Sequence, residues 1–244
     1  MTGDGAVDRR AQIAAGLASV QGRIAAACAR AGRDPAGVRL VVITKTHPAS
    51  DVRLLADLGV TDVGENRDQE AAPKHAACAD LPLAWHFVGQ LQRNKARSVA
   101  RYADAVHSVD RVALAAALGR GAREAGRTVD CLVQVSLDPG WWTGGAPPEG
   151  RGGAAPGELP AVADAIAAEE GLRLAGLMAV APLDGDAEEA FARLADLATA
   201  LRRDHPGADW MSAGMSGDLE EAVAAGATHV RVGSAVLGAR PPLR

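Results

Sequence analysis

Long apolar runs are absent from this sequence of 244 residues, and so is any block of clustered basic side chains. No stretch approaches the roughly 18 consecutive apolar residues of a membrane-spanning helix, and the opening segment lacks the apolar centre of a signal peptide. The 26 basic and 30 acidic residues leave a net charge of -4, so the electrostatic footprint of a nucleic-acid-binding protein is missing. We therefore expect a cytoplasmic protein with small-molecule partners, and neither a membrane nor a nucleic-acid partner.

Cysteine is also scarce. Cys28, Cys78 and Cys131 are odd in number, lie far apart and form no C-x-x-C pair, which gives little support to a disulfide framework or a thiolate metal site. The six histidines include no H-x-x-x-H pair and no histidine–carboxylate cluster at ligand spacing. We expect buried reduced thiols and no metal.

Short apolar runs alternate with segments of helical periodicity along the whole chain. Eight runs have strand character, and they begin near residues 38, 61, 84, 104, 130, 172, 210 and 228. The helical segments cover about 7–31, 51–58, 67–77, 92–101, 111–125, 157–170, 186–204 and 218–225. No linker divides the chain, so the pattern predicts one α/β domain over residues 1–244, a (β/α)8 TIM-type barrel with an extra N-terminal helix.

One long segment interrupts the alternation, residues 138–157, after the fifth predicted strand. Its glycine and proline density predicts an irregular loop. Loops that follow strands lie on the C-terminal face of a barrel, so this loop and its adjacent Trp141 and Trp142 could cover the site. A disordered surface insertion explains the composition equally well.

Lysine is rare, with only Lys45, Lys74 and Lys95 among the 26 basic residues. Lys45 ends the first predicted strand, where barrel geometry places its ammonium at the mouth among apolar neighbours. Desolvation at such a place lowers the pKa of an amine and favours Schiff-base formation with an aldehyde. A solvated lysine on the rim is the alternative.

Small residues follow the last two predicted strands, in the segments 212–218 and 231–238. Backbone N–H groups of such loops commonly hold phosphate in barrels. The acidic residues Asp218, Glu220 and Glu221 argue against this interpretation, because they can cap the helix themselves and would repel a phosphate.

Earlier in the chain, Asn66 and His86 lie at or near strand ends. Asn66 offers a donor and an acceptor to a ring hydroxyl, whereas His86 between Trp85 and Phe87 is typical of a satisfied core imidazole.

Four blocks together carry a family resemblance: VVITKTHPAS, GENRDQE, WHFVGQLQRNK and GMSGDLEEAVAAGATHVRVGSAVLGAR. In this order they resemble the pyridoxal 5'-phosphate (PLP) homeostasis protein family, which is similar to the N-terminal barrel of alanine racemase. The similarity runs from about residue 10 to residue 240. It implies the PLP fold type III barrel without the C-terminal β domain, with PLP as cofactor.

The resemblance also implies roles for individual residues. Lys45 would carry the cofactor as an aldimine, and Arg231 would face the pyridine nitrogen and keep it unprotonated, because an arginine releases no proton near neutral pH. Asn66 resembles the partner of the ring hydroxyl, and His86 a residue that lines the pocket. The phosphate would be held by Met215, Ser216, Gly233 and Ser234.

Two departures from the family pattern stand out. Ser234 replaces the usual threonine but keeps a hydroxyl. In the loop after the fifth strand, the family usually has a lysine before a glycine pair, whereas this chain has Arg151 before Gly152 and Gly153. A second cofactor-handling lysine is therefore not expected in this loop.

The family implies a non-catalytic protein that holds, buffers and delivers PLP, with transient contacts to apo forms of PLP enzymes. One alternative is a PLP-dependent amino-acid racemase, which needs a second proton carrier, and the only tyrosine, Tyr102, lies before the fourth strand. The second alternative is an aldolase of sugar phosphates that forms a Schiff base through Lys45 without a cofactor. Monomer and weak homodimer both remain open.

Overall fold

A computed structural model describes residues 3–142, 152–183 and 185–239 of the chain. Within these ranges eight parallel strands form a closed barrel in which each strand pairs with the next in the sequence and the last with the first. The strands β1 to β8 are Arg39–Ile43, Asp62–Glu65, Ala84–Phe87, Ala105–Val109, Val129–Gln134, Leu172–Met178, Trp210–Ser212 and His229–Val232. The predicted barrel is confirmed.

One α-helix precedes β1, and the other α-helices follow the strands. The helices α1 to α10 are Gly3–Arg30, Ala49–Asp57, Asp68–Ala77, Ala96–Val99, Val112–Ala125, Pro139–Trp142, Leu159–Ala168, Ala187–Asp204, Leu219–Ala224 and Ser234–Leu237. No helix of the described ranges has the length and apolar character needed to cross a membrane. All three cysteines are buried and free, as the sequence predicts.

Three local details differ from the sequence expectations. The helix predicted over 92–101 is a 3-10 turn at Arg93–Lys95 followed by the single turn of α4. The segment after β5 is regular at both ends, with α6 at its start and a 3-10 turn at Pro156–Glu158 near its end. Each of these two turns begins with a proline, whose fixed φ suits the first helical position, so the expectation that proline excludes regular structure is wrong there. The short helix α10 was not predicted.

Barrel closure brings the first and the last strand together. Arg39 of β1 is opposite His229 of β8, and Val42 is opposite Val232. The residues that follow β1 and β8 therefore meet at the same edge of the barrel mouth, because parallel strands in register end side by side. This pairing places Lys45 next to the loop that begins at Gly233.

The two sides of the strands face different environments. Outward side chains such as Val42, Val63 and Trp85 pack in one large apolar core under the helices. Inside the barrel, a small apolar cluster of Leu132, Ala175 and Met178 shares the space with buried polar side chains. Strand alternation sends every second residue inward, and the inward residues of β3, β4, β7 and β8 include histidine, serine and arginine.

The N-terminal helix α1 packs on α9 and α10, the helices that follow the last two strands. At Gly16 the approach is so close that a Cβ atom would lie 2.5 Å from the carbonyl oxygen of Val236. Further along α1, Arg23 donates a hydrogen bond of 2.9 Å to the Ser216 carbonyl oxygen. Helix α1 therefore supports the loops after β7 and β8 from outside the barrel.

Candidate functional site

A cavity of about 260 Å³ opens at the barrel mouth where β1, β7 and β8 end. Six of the eight predicted site residues line this cavity: Lys45, Met215, Ser216, Arg231, Gly233 and Ser234. They come from segments almost 190 positions apart in the sequence, and barrel closure joins them. The cavity therefore combines an amine, a guanidinium and two hydroxyl groups.

The backbone on either side of Lys45 is held by helix α3. The Lys74 ammonium donates a hydrogen bond of 2.8 Å to the Thr44 carbonyl oxygen, and the Thr46 N–H donates one of 3.0 Å to a Glu70 carboxylate oxygen. Thr46 has a φ of 68°, a left-handed conformation that a β-branched residue rarely adopts. Two side chains one helical turn apart on α3 thus fix the sharp turn that presents Lys45.

Lys74 also forms a buried ion pair with Glu65 at the end of β2. The Thr44 hydroxyl donates a hydrogen bond of 2.6 Å to the same carboxylate. Burial raises the pKa of Glu65, and the Lys74 ammonium and the Thr44 hydroxyl oppose that rise. Sequence analysis missed this support for Lys45, although the rarity of lysine and the i, i+4 spacing of Glu70 and Lys74 are signals that could have indicated it.

Two of the acidic residues that follow β7 accept hydrogen bonds from other described residues. The Asp218 carboxylate accepts a hydrogen bond of 2.6 Å from the Met215 N–H, and Glu220 accepts two from Arg23 of α1, at 2.8 and 2.7 Å. No described residue accepts a hydrogen bond from the N–H of Ser216 or Gly217. These bonds engage Asp218 and Glu220, but the Asp218 carboxylate still acts on Arg231 in the cavity and raises its pKa. The repulsion of a phosphate by this turn therefore stays a prediction, and the Met215 N–H is already engaged.

Arg231 lies at the cavity floor with its guanidinium buried. One terminal nitrogen donates a hydrogen bond of 2.6 Å to the Ser212 hydroxyl, and the other donates one of 2.8 Å to the Ala179 carbonyl oxygen. Burial lowers the pKa of Arg231 to about 10. The guanidinium remains protonated at neutral pH, and both of its interior acceptors are uncharged.

Comparisons with known proteins agree with this geometry. The sequence profile of the family described as alanine racemase, N-terminal domain, matches residues 17–241. A protein named pyridoxal phosphate homeostasis protein from Mycobacterium tuberculosis is 43% identical over 249 residues, which cover 96% of this chain and 95% of that protein. The chain belongs to the pyridoxal phosphate homeostasis protein family.

Two further proteins are similar to this chain. The pyridoxal phosphate homeostasis protein of Pseudomonas aeruginosa is 43% identical over 93% of this chain and 96% of its own length. PipY of Synechococcus elongatus, solved with PLP bound, superposes with a TM-score of 0.78 at 37% identity. The superposition covers 93% of this chain and 100% of PipY.

The other two predicted residues of this family member do not line the cavity. Asn66 follows β2 and borders a larger cleft of about 800 Å³, together with Arg67 and Lys95. His86 is in the middle of the barrel wall, and its ring nitrogens lie 2.8 Å from His107 and 3.0 Å from Asp62. The His86 side chain points into the barrel from a position before the end of β3, so it lies below the mouth. Both of its ring nitrogens have partners there, which makes His86 a satisfied interior imidazole. The roles that the resemblance implies for both residues stay predictions.

The structure describes the segment after β5 only at its two ends. Helix α6 begins it, and Ala154 forms an isolated bridge with Val135. The Gly152 carbonyl oxygen accepts a hydrogen bond of 2.9 Å from the Gln134 side chain. Residues 143–151, including Arg151, and the side chains of Trp141 and Trp142 lie outside the described part of the chain. Covering of the site by this segment therefore stays a prediction.

Proposed function

We propose that this protein binds PLP covalently through Lys45 and buffers or delivers it in the cytoplasm without turnover of a substrate. The observation that carries the proposal is the convergence of the Lys45 amine, the Arg231 guanidinium and the small-residue loops on one cavity. The names of the relatives and the PLP bound to PipY support the same cofactor.

The residues present fit the chemical groups of PLP. The Lys45 amine can add to the aldehyde carbon, after which water leaves and a C=N bond remains. The free N–H groups of Ser216 and Gly217 and the hydroxyls of Ser216 and Ser234 supply neutral donors for a phosphate dianion. Lys45, Arg231 and these donors all line the same cavity, and one molecule that carries an aldehyde, a ring nitrogen and a phosphate has a matching group for each of them.

Two features of the chain argue against turnover. When bound, PLP supplies an electron-withdrawing ring, and this effect is strongest when the ring nitrogen is protonated. The Arg231 guanidinium has no lone pair to accept a proton and does not release one near neutral pH, so it favours the unprotonated nitrogen. The only tyrosine, Tyr102, does not line the cavity, and burial together with the Asp68 carboxylate raises its pKa. No tyrosine base is therefore available for racemisation.

Transfer without turnover is the expected behaviour. Mixed with the apo form of a PLP enzyme, the PLP-loaded protein should restore that enzyme's activity. A working PLP enzyme turns over at about 1 to 1000 per second, and racemase, decarboxylase and transaminase assays with a panel of amino acids should give nothing in that range. Reactivation is measured beside an equal amount of free PLP. Racemisation near one per second that disappears in Lys45→Ala would refute the carrier proposal.

Phosphate anchoring gives a separate prediction. The double variant Ser216→Ala/Ser234→Ala removes two hydroxyl donors, and each lost hydrogen bond to a charged group weakens binding by about 1 kcal/mol or more. The dissociation constant for PLP should therefore rise by about tenfold or more, since about 1.4 kcal/mol corresponds to a factor of ten. Ser234→Thr keeps the hydroxyl and serves as the matched control. An unchanged constant in the double variant would remove both residues from the site.

A further inference from the structure

A chain of hydrogen bonds crosses the interior of the barrel from the cavity floor toward the opposite face. It starts at Arg231 and continues through the Ser212 hydroxyl to His107, at 2.6 and 2.9 Å. From His107 it passes to His86 at 2.8 Å and ends at the Asp62 carboxylate at 3.0 Å. These five side chains come from five different strands and are at most 5% exposed. We call this set the interior relay.

The donor and acceptor of each bond follow from Arg231. A guanidinium only donates, so the Ser212 oxygen accepts and the Ser212 hydroxyl proton is directed to Nδ1 of His107. His107 then carries its proton on Nε2 and donates it to Nδ1 of His86. His86 in turn donates from Nε2 to Asp62, which as a carboxylate only accepts. In the reverse direction, the Ser212 oxygen would accept from both neighbours and its proton would find no acceptor in the relay.

The environments of His107 and Asp62 agree with this direction. Burial, His86 and Arg231 lower the pKa of His107 well below its ordinary value, so the ring is neutral. Burial alone would raise the pKa of Asp62, but hydrogen bonds from His86 and Thr61 lower it to about 2, so Asp62 is ionised. The relay therefore has a cation at the cavity end and an anion at the far end, joined by hydrogen bonds that all point the same way.

We propose that Asp62, His86, His107 and Ser212 are positioning residues that fix the orientation of the Arg231 guanidinium toward the cavity. This inference rests on the proposed function, in which Arg231 faces the ring nitrogen of PLP. Among the described residues no carboxylate accepts a hydrogen bond from Arg231, whose interior acceptors are a hydroxyl and a carbonyl. The Asp218 carboxylate acts on Arg231 electrostatically, without such a bond. Hydrogen bonds in a series polarise one another in a low-dielectric interior. The relay thereby strengthens the Ser212 oxygen as an acceptor and connects Arg231 to a second carboxylate, that of Asp62.

The first experiment uses the unloaded protein and needs no cofactor. Nitrogen-15 NMR of the histidine rings distinguishes the two neutral tautomers, and we expect the Nε2–H form for both His86 and His107. The Arg231 side chain should show separate signals for its two terminal nitrogens, because both are held. In Ser212→Ala these signals should merge as rotation becomes faster. A proton on Nδ1 of His107, or merged Arg231 signals in the unaltered protein, would overturn the proposal.

The second experiment follows the loaded protein. Ser212→Ala removes the acceptor of a charged donor, and we expect the dissociation constant for PLP to rise about tenfold with a shift of the visible absorption maximum. Asp62→Asn keeps a side-chain oxygen for His86 and removes only the charge, so it should shift the maximum in the same direction by less. The absorption maximum reports the electronic state of the PLP ring. A loss of packing elsewhere in the barrel would not move this maximum.

Asp62 also lies 3.4 Å from Arg39, a surface residue that is not part of the relay. Arg39→Gln is therefore the matched control, and it should leave the absorption maximum and the affinity unchanged. Variants that fold, bind PLP and keep the absorption maximum of the unaltered protein would overturn the relay. Failure of the unaltered protein to bind PLP would instead refute the proposed function, and the NMR result would show separately whether the relay holds Arg231.

Discussion

Replacement of Lys45 by alanine is expected to abolish the visible absorption band of the PLP-loaded protein. The band requires a C=N bond to an amine, and Lys45 is the only lysine among the residues that line the cavity. Borohydride should reduce this bond in the unaltered protein, and peptide mapping should then find the label on the peptide that contains Lys45. In Lys45→Ala we expect no reducible band and no labelled peptide.

Lys95 provides the control for this experiment. Its ammonium lies 3.9 Å from the Asp68 carboxylate and borders the larger cleft beside Asn66. Lys95→Ala removes a lysine of similar exposure near the barrel mouth and should leave the band intact. A reducible band that survives in Lys45→Ala but disappears in Lys95→Ala would move the covalent site to the larger cleft.

Mild acid is expected to destabilise the protein strongly. Two buried histidines of the barrel interior are held neutral: burial lowers the pKa of His107 well below 6.5 and that of His229 from 6.5 to about 3. Below pH 6.5 the unfolded chain binds protons at these positions and the folded chain does not, so stability falls as the pH falls. Each such histidine lowers the free energy of unfolding by about 1.4 kcal/mol per pH unit.

The two histidines together should lower the free energy of unfolding by about 3 kcal/mol per pH unit between about pH 6 and pH 4. Domains of this kind are stable by only about 5 to 15 kcal/mol, so two units of pH remove much of the total. Asp62 acts in the same direction at lower pH, because its contribution is lost as the pH falls from about 4 toward its folded-state pKa of about 2. Denaturant titrations at a series of pH values measure this slope.

His229→Phe tests the assignment. No described group bonds to Nε2 of His229, and the ring centroids of His229 and Trp210 are 4.3 Å apart. Phenylalanine keeps this ring contact and loses only the 2.8 Å hydrogen bond between Nδ1 and the Thr228 hydroxyl, which lowers stability at every pH. The slope should then decrease by about 1.4 kcal/mol per pH unit, the share of one proton. Equal slopes in His229→Phe and in the unaltered protein would contradict the assignment to His229.

Much of the fold could be predicted because buried parallel strands leave a local signature. Runs such as those of β1 and β5 are short, apolar and β-branched, and polar or glycine-containing turns separate them from helical segments. The short helix α10 could not be predicted in the same way, since four residues carry too little periodicity. The left-handed turn at Thr46 also has no local signal, because contacts from α3 stabilise it against the preference of threonine.

The site divides in a similar way. Lys45, Ser216 and Ser234 could be proposed because each directly follows a strand, and strand ends meet at the barrel mouth whatever the details of packing. The interior relay could not, because its members lie between positions 62 and 231 and become neighbours only when the barrel closes. A signal was nevertheless present, since His86 and His107 lie in short strands that are mostly apolar, where a buried polar side chain needs a partner.

The register between β1 and β8 has a consequence for the order of events during protein synthesis. Lys45 leaves the ribosome early, whereas Ser216, Arg231 and Ser234 emerge about 170 to 190 residues later. At elongation rates of about 5 to 20 residues per second, the amine waits for roughly ten seconds or more before its cavity exists. A nascent or truncated chain without β8 presents this amine to the solvent and lacks the guanidinium and both serine loops. Under the proposed function, the complete cavity for the cofactor exists only after translation has delivered the last strand.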